Sequence, residues 1–187
     1  MLRTSIIGRL SRFARDRRGV SAVEFAFIAP VMIGLYLGCA EISDGVAADR
    51  KVSLIAGALA NLPAQVTTIS TGDMTNILDA SSAIIAPYSA SKLKMTVSCI
   101  KIDSTGVAKV QWSATRNGTA RSAGSVYSFP SSAAALAVKS SWLLLAEVSY
   151  AYTPTVGYTI TGTLNLTDQM YMSPRITAPT YDTTTCT

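Results

Sequence analysis

Few residues in this chain have the type and spacing to do chemistry, and they crowd at its start. Gly19 follows Arg17-Arg18, and Glu24 stands five residues beyond it in otherwise apolar sequence. A glycine has no side chain to keep another molecule from its peptide bond. A carboxylate in an apolar run costs roughly 2.5–3.5 kcal/mol at mid-membrane, less near the edge, so by default it has a partner. One partner is Arg17 or Arg18, with Glu24 at the headgroup boundary. Another arises if the chain is cut after Gly19. Val20 then carries a free amine, and Glu24 becomes the fifth residue, where its carboxylate can pair with the ammonium of a neighbouring subunit and set helix register.

Catalysis has little to work with. The 187 residues include no histidine, which removes Ser-His-Asp and Cys-His chemistry and most catalytic zinc sites. Cys39, Cys99 and Cys186 have no metal-like spacing. No phosphate loop or paired catalytic carboxylates stand out, so neither an enzyme nor a metal or cofactor site is expected.

Charge is just as localised. Arg3, Arg9, Arg12, Arg15, Arg17 and Arg18, offset only by Asp16, account for the whole net charge of +5. Residues 20–187 are balanced, so the body has no basic excess to displace counterions from phosphate, and a nucleic-acid partner is not expected.

These residues must be positioned by a membrane helix. Val20 to Ala40 is a 21-residue apolar run with one charge. About 20 such residues span a bilayer, and the arginines hold the N-terminus in the cytoplasm. Three readings compete. A secretory signal has a shorter apolar core, usually 7–15 residues, and a small-x-small cleavage site, which is not evident here. A lipoprotein signal would use Gly38-Cys39, but Tyr36 stands where such a motif prefers leucine. The third is the cut after Gly19.

The run Arg17-Arg18-Gly19-Val20-Ser21-Ala22-Val23-Glu24-Phe25-Ala26-Phe27-Ile28-Ala29-Pro30 resembles the processing region of TadE-like proteins, pseudopilins or minor pilins of the bacterial Tad (Flp) type IV pilus system. The stretches Ala146–Pro154 and Met170–Arg175 look like the family's Glu-Val-x-Tyr and late Pro-Arg segments. The resemblance implies a precursor cut between Gly19 and Val20 by a membrane prepilin peptidase, with Arg12, Arg15, Arg17 and Arg18 as the topological leader and Glu24 as the assembly residue. It implies a non-enzymatic subunit for pilus assembly, initiation or tip, with a link to cell adhesion. Its partners would be the peptidase, other Tad pilins and minor pilins, the assembly platform and inner-membrane lipid. The protein would be single-pass with its C-terminal part periplasmic, or incorporated in the extracellular pilus. The alternative is an uncleaved single-pass periplasmic scaffold or binding protein of the same machinery.

Beyond the span the apolar spacing stays helical through Ile42, Val46, Leu54, Ile55, Leu59 and Leu62, which predicts a helix over 20–61. Pro30 should kink it and Pro63 should end it. Its outer apolar stripe is expected against the chain's own head, ahead of a coiled-coil partner. Residues 62–187 read as that head. A helix starts at Thr71-Gly72-Asp73 and stops by Pro87. A hairpin joins Lys92–Ile102 to Val107–Thr115, with Ala108, Val110, Trp112 and Ala114 as one apolar face. Residues 116–125 read as a flexible loop, and Trp142–Tyr152 and Thr159–Leu166 as further strands. Tyr127, Trp142, Tyr150, Tyr152 and Tyr158 read as core and surface aromatics. The fold class is α+β: a long type IV pilin-like transmembrane helix, after a leader at 1–19, running into a small head with an antiparallel sheet. Outside the cytoplasm Cys99 and Cys186 can pair, which ties down a tail with few other reasons to dock. That bridge closes a loop of about 87 residues and contributes roughly 3–4 kcal/mol.

Overall fold

The computed structural model describes residues 18–154, 157 and 161–186. Helix α1 runs Arg18–Ala64, 47 residues, or about 70 Å at 1.5 Å rise. It outlasts the sequence expectation at its C-terminal end. Pro63 lies inside the last turn, which closes through short bonds from Gln65 N to Leu62 O and from Val66 N to Pro63 O. A proline lacks its own N–H, but the turn after it can still tighten in this way.

The two halves of α1 meet different surroundings. From Val20 to Tyr36 the large apolar side chains, Phe25, Phe27, Val31 and Leu35 among them, are exposed and covered by none of the described residues. One candidate membrane span begins here, at Gly19. In the second half, Glu41, Gly45, Ala48, Val52, Ile55, Ala56, Leu59, Ala60, Pro63 and Ala64 are buried. Their spacing of three and four is one face of a helix. Small residues at 45, 48, 56 and 60 let the helix lie close to the sheet. Val52, Ile55 and Leu59 fill the gaps, each stabilising by roughly 1.5–3 kcal/mol when fully buried. The outer stripe, Ile42, Val46 and Leu54, stays exposed, so only one of the helix's two apolar edges packs on the head.

The head is an antiparallel sheet in the order β3-β2-β4-β5, formed by β2 (Leu93–Ile102), β3 (Ala108–Arg116), β4 (Ser141–Tyr152) and β5 (Leu164–Met172). Strand β1 (Thr68–Ile69) pairs in parallel with β6 (Thr180–Tyr181) beside it. Helix α2 (Thr71–Ala83) starts at a full capping box: Ser70 Oγ accepts from Asp73 N, and the Asp73 carboxylate accepts from Ser70 N. The hairpin expected at 92–115 is present. The strand expected at 159–166 is β5, which begins at Leu164 and runs to Met172; Thr159 and Tyr158 lie outside the described residues.

The sheet buries both faces. Leu93, Met95, Val97, Cys99, Trp112, Ala114, Leu144, Ala146 and Val148 join α1 and α2 in the main core. Ile100, Ile102, Ala108, Val110, Leu143 and Leu145 form a second cluster on the opposite face with Tyr127. The single face expected for β3 is therefore corrected to two. Cys99 pairs with Trp112 but Ile100 pairs with Val110, so a bulge at Gln111 turns Ala108 and Val110 to the far side. The 116–125 segment is a loop, as expected, and it is bonded to β3. Gly124 N donates to Val110 O, Val110 N to Ser125 O, and Arg121 N to Ser113 Oγ.

Candidate functional site

The residues singled out by sequence gather at the first two turns of α1. The Gly19–Val20 peptide lies in the first turn, with Gly19 exposed and Val20 52% exposed. A Cβ built on Gly19 meets none of the described residues within 4 Å. The fold therefore places no steric demand for glycine here, although glycine in a helix costs roughly 0.5–1 kcal/mol relative to alanine. A requirement for glycine must come from something that grips this bond from outside.

Glu24 stands four residues after Val20 on the same helix face, about 6 Å further along the axis. Helical side chains lean toward the N-terminus, so the carboxylate is aimed back at the Val20 end. It is exposed, and among the described residues it is in no ion pair. Arg18 begins α1; Arg12, Arg15 and Arg17 lie outside the described residues. Pro30 sits inside the span and removes the hydrogen bond that Ala26 O would accept. Cys39 is an exposed free thiol near the end of the apolar run.

The second half of α1 is fixed on the head by groups the sequence does not single out. Glu41 is 4% exposed and accepts a bond of 2.6 Å from Gly157 N. Its signal was its phase, one turn before Gly45 and Ala48 on the buried face. Lys51 Nζ donates to Ile84 O and Ala86 O at 3.3 and 2.7 Å, supplying a cation to the carbonyl end of α2. Arg175 does the same for α1. Its N donates to Ala64 O and its Nη2 to Asn61 Oδ1, both at 2.9 Å. Both helices lack a basic residue in their own last turn, where positive charge is favourable against the helix dipole. The Pro174-Arg175 pair thus has a physical task at the far end of α1.

Glu147 belongs to β4 and points away from the helices. Arg121 Nε and Nη2 donate to its two oxygens at 3.0 and 2.6 Å. Arg121 also lies 5.1 Å over the Tyr127 ring. The carboxylate, first by its hydrogen bond, raises the guanidinium's already high pKa. Both groups are about a third exposed, so the pair stabilises by at most about 1 kcal/mol. The Tyr127 hydroxyl is pushed up chiefly by burial, then by its bond to Tyr171. Val148, Tyr150 and Tyr152 of the same strand are core residues.

Cys99 and Cys186 are bonded to each other, and both are fully buried. The tail does not depend on this bridge alone. Trp112 Nε1 donates to Pro179 O at 2.9 Å. Thr71 N and Oγ1 donate to the Asp182 carboxylate at 2.9 and 2.5 Å, an anion at the start of α2. The expectation of a tail with little other reason to dock is corrected accordingly. Trp142 is an exposed aromatic, while Tyr127, Tyr150 and Tyr152 are buried.

Among the described residues no group of three or more His, Cys, Asp or Glu is placed to hold a metal. The sequence model described as TadE-like protein matches residues 19–54. No curated protein and no solved structure matches the chain. The matched segment takes in the exposed glycine, the glutamate, the uncovered span and the first turns buried on the head. Over this N-terminal helix the chain is similar to the TadE-like family.

Proposed function

We propose that the protein is a minor pilin of a Tad pilus, made as a precursor and cut between Gly19 and Val20. The observation that carries this reading is the combination at the start of α1: a glycine on which the described fold places no steric demand, in an exposed first turn, five residues before a carboxylate in an apolar helix. A prepilin peptidase supplies the demand for glycine, since its own groups must reach the peptide bond. The chemistry belongs to that enzyme; this chain supplies the bond, the basic leader that holds it at the cytoplasmic face and the helix that stays in the membrane.

After cleavage the working chain is close to neutral, because the leader takes the net positive charge with it. The uncovered apolar half of α1 then anchors the subunit in the inner membrane with the head on the periplasmic side. There it associates with other Tad pilins and the assembly platform. The leftover charge in the span is Glu24, facing the new amine or that of a neighbour.

Mass spectrometry of the protein from cells that make the pilus tests this directly. The expected mature N-terminus is Val20, and Gly19→Leu should leave the intact precursor. An intact Met1 in the wild type favours an uncleaved scaffold. Normal maturation of Gly19→Leu would defeat the proposal.

A further inference from the structure

Trp142 stands on the sheet face that α1 covers, in alternation with Leu144 and Ala146, but at the strand end beyond where α1 stops. Trp142 remains 38% exposed. A cleft of about 770 Å³ opens beside it, walled by the segment after α1 and by the stretch after β5. That volume falls within the ~300–1,000 Å³ of small-ligand sites. Thr67, Thr68, Ser173 and Thr177 line it beside the apolar Pro174 and Ile176, and none of its lining residues is charged.

We propose that this cleft binds a neutral saccharide. The lining sets three conditions on an occupant. An ionic ligand would leave water without meeting a counter-charge. A wholly apolar ligand would strip water from the hydroxyls and leave them unpaired. A flexible hydroxylated chain would gain nothing from the flat indole. A sugar ring meets all three conditions: it is uncharged, it carries donors and acceptors around its edge, and it has an apolar C–H face that stacks on an aromatic ring. The walls are tied in place. Thr180 N donates to Thr67 O and Arg175 N to Ala64 O, both at 2.9 Å, so little ordering remains to oppose binding. The cleft lies at the opposite end of α1 from Gly19, so this inference stands or falls separately from processing.

The chain contains two tryptophans, Trp112 and Trp142, which makes the test selective. Trp112 is 3% exposed in the core and serves as the internal control. The full chain in phosphatidylcholine nanodiscs, free of sugar detergents, is labelled with ¹⁵N at the indoles. It is titrated with maltotetraose, cellotetraose and chitotetraose, then with sialyllactose and an uncharged proline-rich peptide. The expected result is a saturable shift of the Trp142 indole with at least one neutral oligosaccharide, while Trp112 stays still. Trp142→Ala should weaken that binding roughly tenfold or more, measured calorimetrically. Thr67→Val with Thr177→Val should weaken it while keeping the Trp112 resonance in place, which covers the case of a misfolded Trp142→Ala. No Trp142 shift at millimolar oligosaccharide, undiminished binding by Trp142→Ala, or a response to the peptide or sialyllactose alone would each overturn the proposal.

Discussion

Cys186, near the C-terminus, is bonded to Cys99 in the middle of β2, 87 residues away. The bridge joins the last described residue to a central strand of the sheet. Cys99 pairs across the strands with Trp112, whose indole holds Pro179 of the same tail. The disulfide and the indole thus grip one segment from two adjacent strands.

Breaking the bridge should cost stability through the unfolded chain, which regains the freedom that a loop of this length had lost. Cys186→Ser should destabilise the head by about 3 kcal/mol. The tail should nevertheless remain partly docked, because the Trp112 and Asp182 bonds persist. Urea unfolding in non-reducing detergent solution, followed by near-UV circular dichroism, measures the cost. A loss below about 1 kcal/mol would mean that the side-chain contacts alone hold the tail.

Arg175 acts at a distance from its own neighbours in sequence, and its removal should be felt at the end of α1. Arg175→Ala gives up the bond to Asn61 Oδ1 and the positive charge near the carbonyls of the last turn. The expected loss is about 1 kcal/mol. Asn61→Ala combined with Arg175→Ala should cost less than the sum of the two, because they share one bond. Full additivity in that cycle would show that the pair does not couple.

The hairpin turn between β2 and β3 should make the head sensitive to acid. Asp103 Oδ1 accepts from Thr105 Oγ1, Thr105 N and Val107 N at 2.6, 2.8 and 2.9 Å. These bonds, the Thr105 hydroxyl first, hold its carboxyl below the ordinary 3.8. Asp73 is lowered in the same way by Ser70. A depressed folded pKa means that unfolding takes up protons. The contribution is complete above the ordinary value and is lost as pH falls through the folded one. Asp103→Asn, which cannot change charge, should flatten the decline of the urea midpoint below about pH 4. An unchanged acid limb in that variant would assign the decline to other carboxyls.

Much of this architecture is written in local pattern. The apolar run at 20–40, the alternation Leu93-Met95-Val97-Cys99 and the Ser70–Asp73 cap each carry their instruction within a few residues. What could not be read that way depends on contacts between distant segments. Ala108 and Val110 alternate with Trp112, yet the extra residue at Gln111 sends them to the other face, where a partner surface from 126–129 and β4 awaits them. Glu41 looks like the polar edge of the span until its phase with Gly45, Ala48 and Val52 is counted. Arg175 and Lys51 cap helices that end far from them in sequence. Within the candidate site, Gly19 and Glu24 were legible because both oppose their setting, one by having no side chain and the other by being charged.

Under the proposed processing, Glu24 offers a way to separate cleavage from assembly. If its task is to pair with an N-terminal amine, cleavage should not need it, since that amine does not exist until the bond is cut. Glu24→Ala should mature to a Val20 N-terminus at near-normal yield. Its recovery with other pilus components should fall roughly five- to thirtyfold, the loss of about 1–2 kcal/mol for a polar contact between helices in lipid. Glu24→Asp, charged but shorter, should restore part of that recovery, and Glu24→Gln less. Cross-linking of membranes followed by mass spectrometry reads both quantities from one sample. Equal loss of cleavage and assembly in Glu24→Ala would move the carboxylate's role to recognition by the peptidase. Full recovery with Glu24→Gln would show that a hydrogen-bonding side chain suffices and that charge pairing with the amine is not its function.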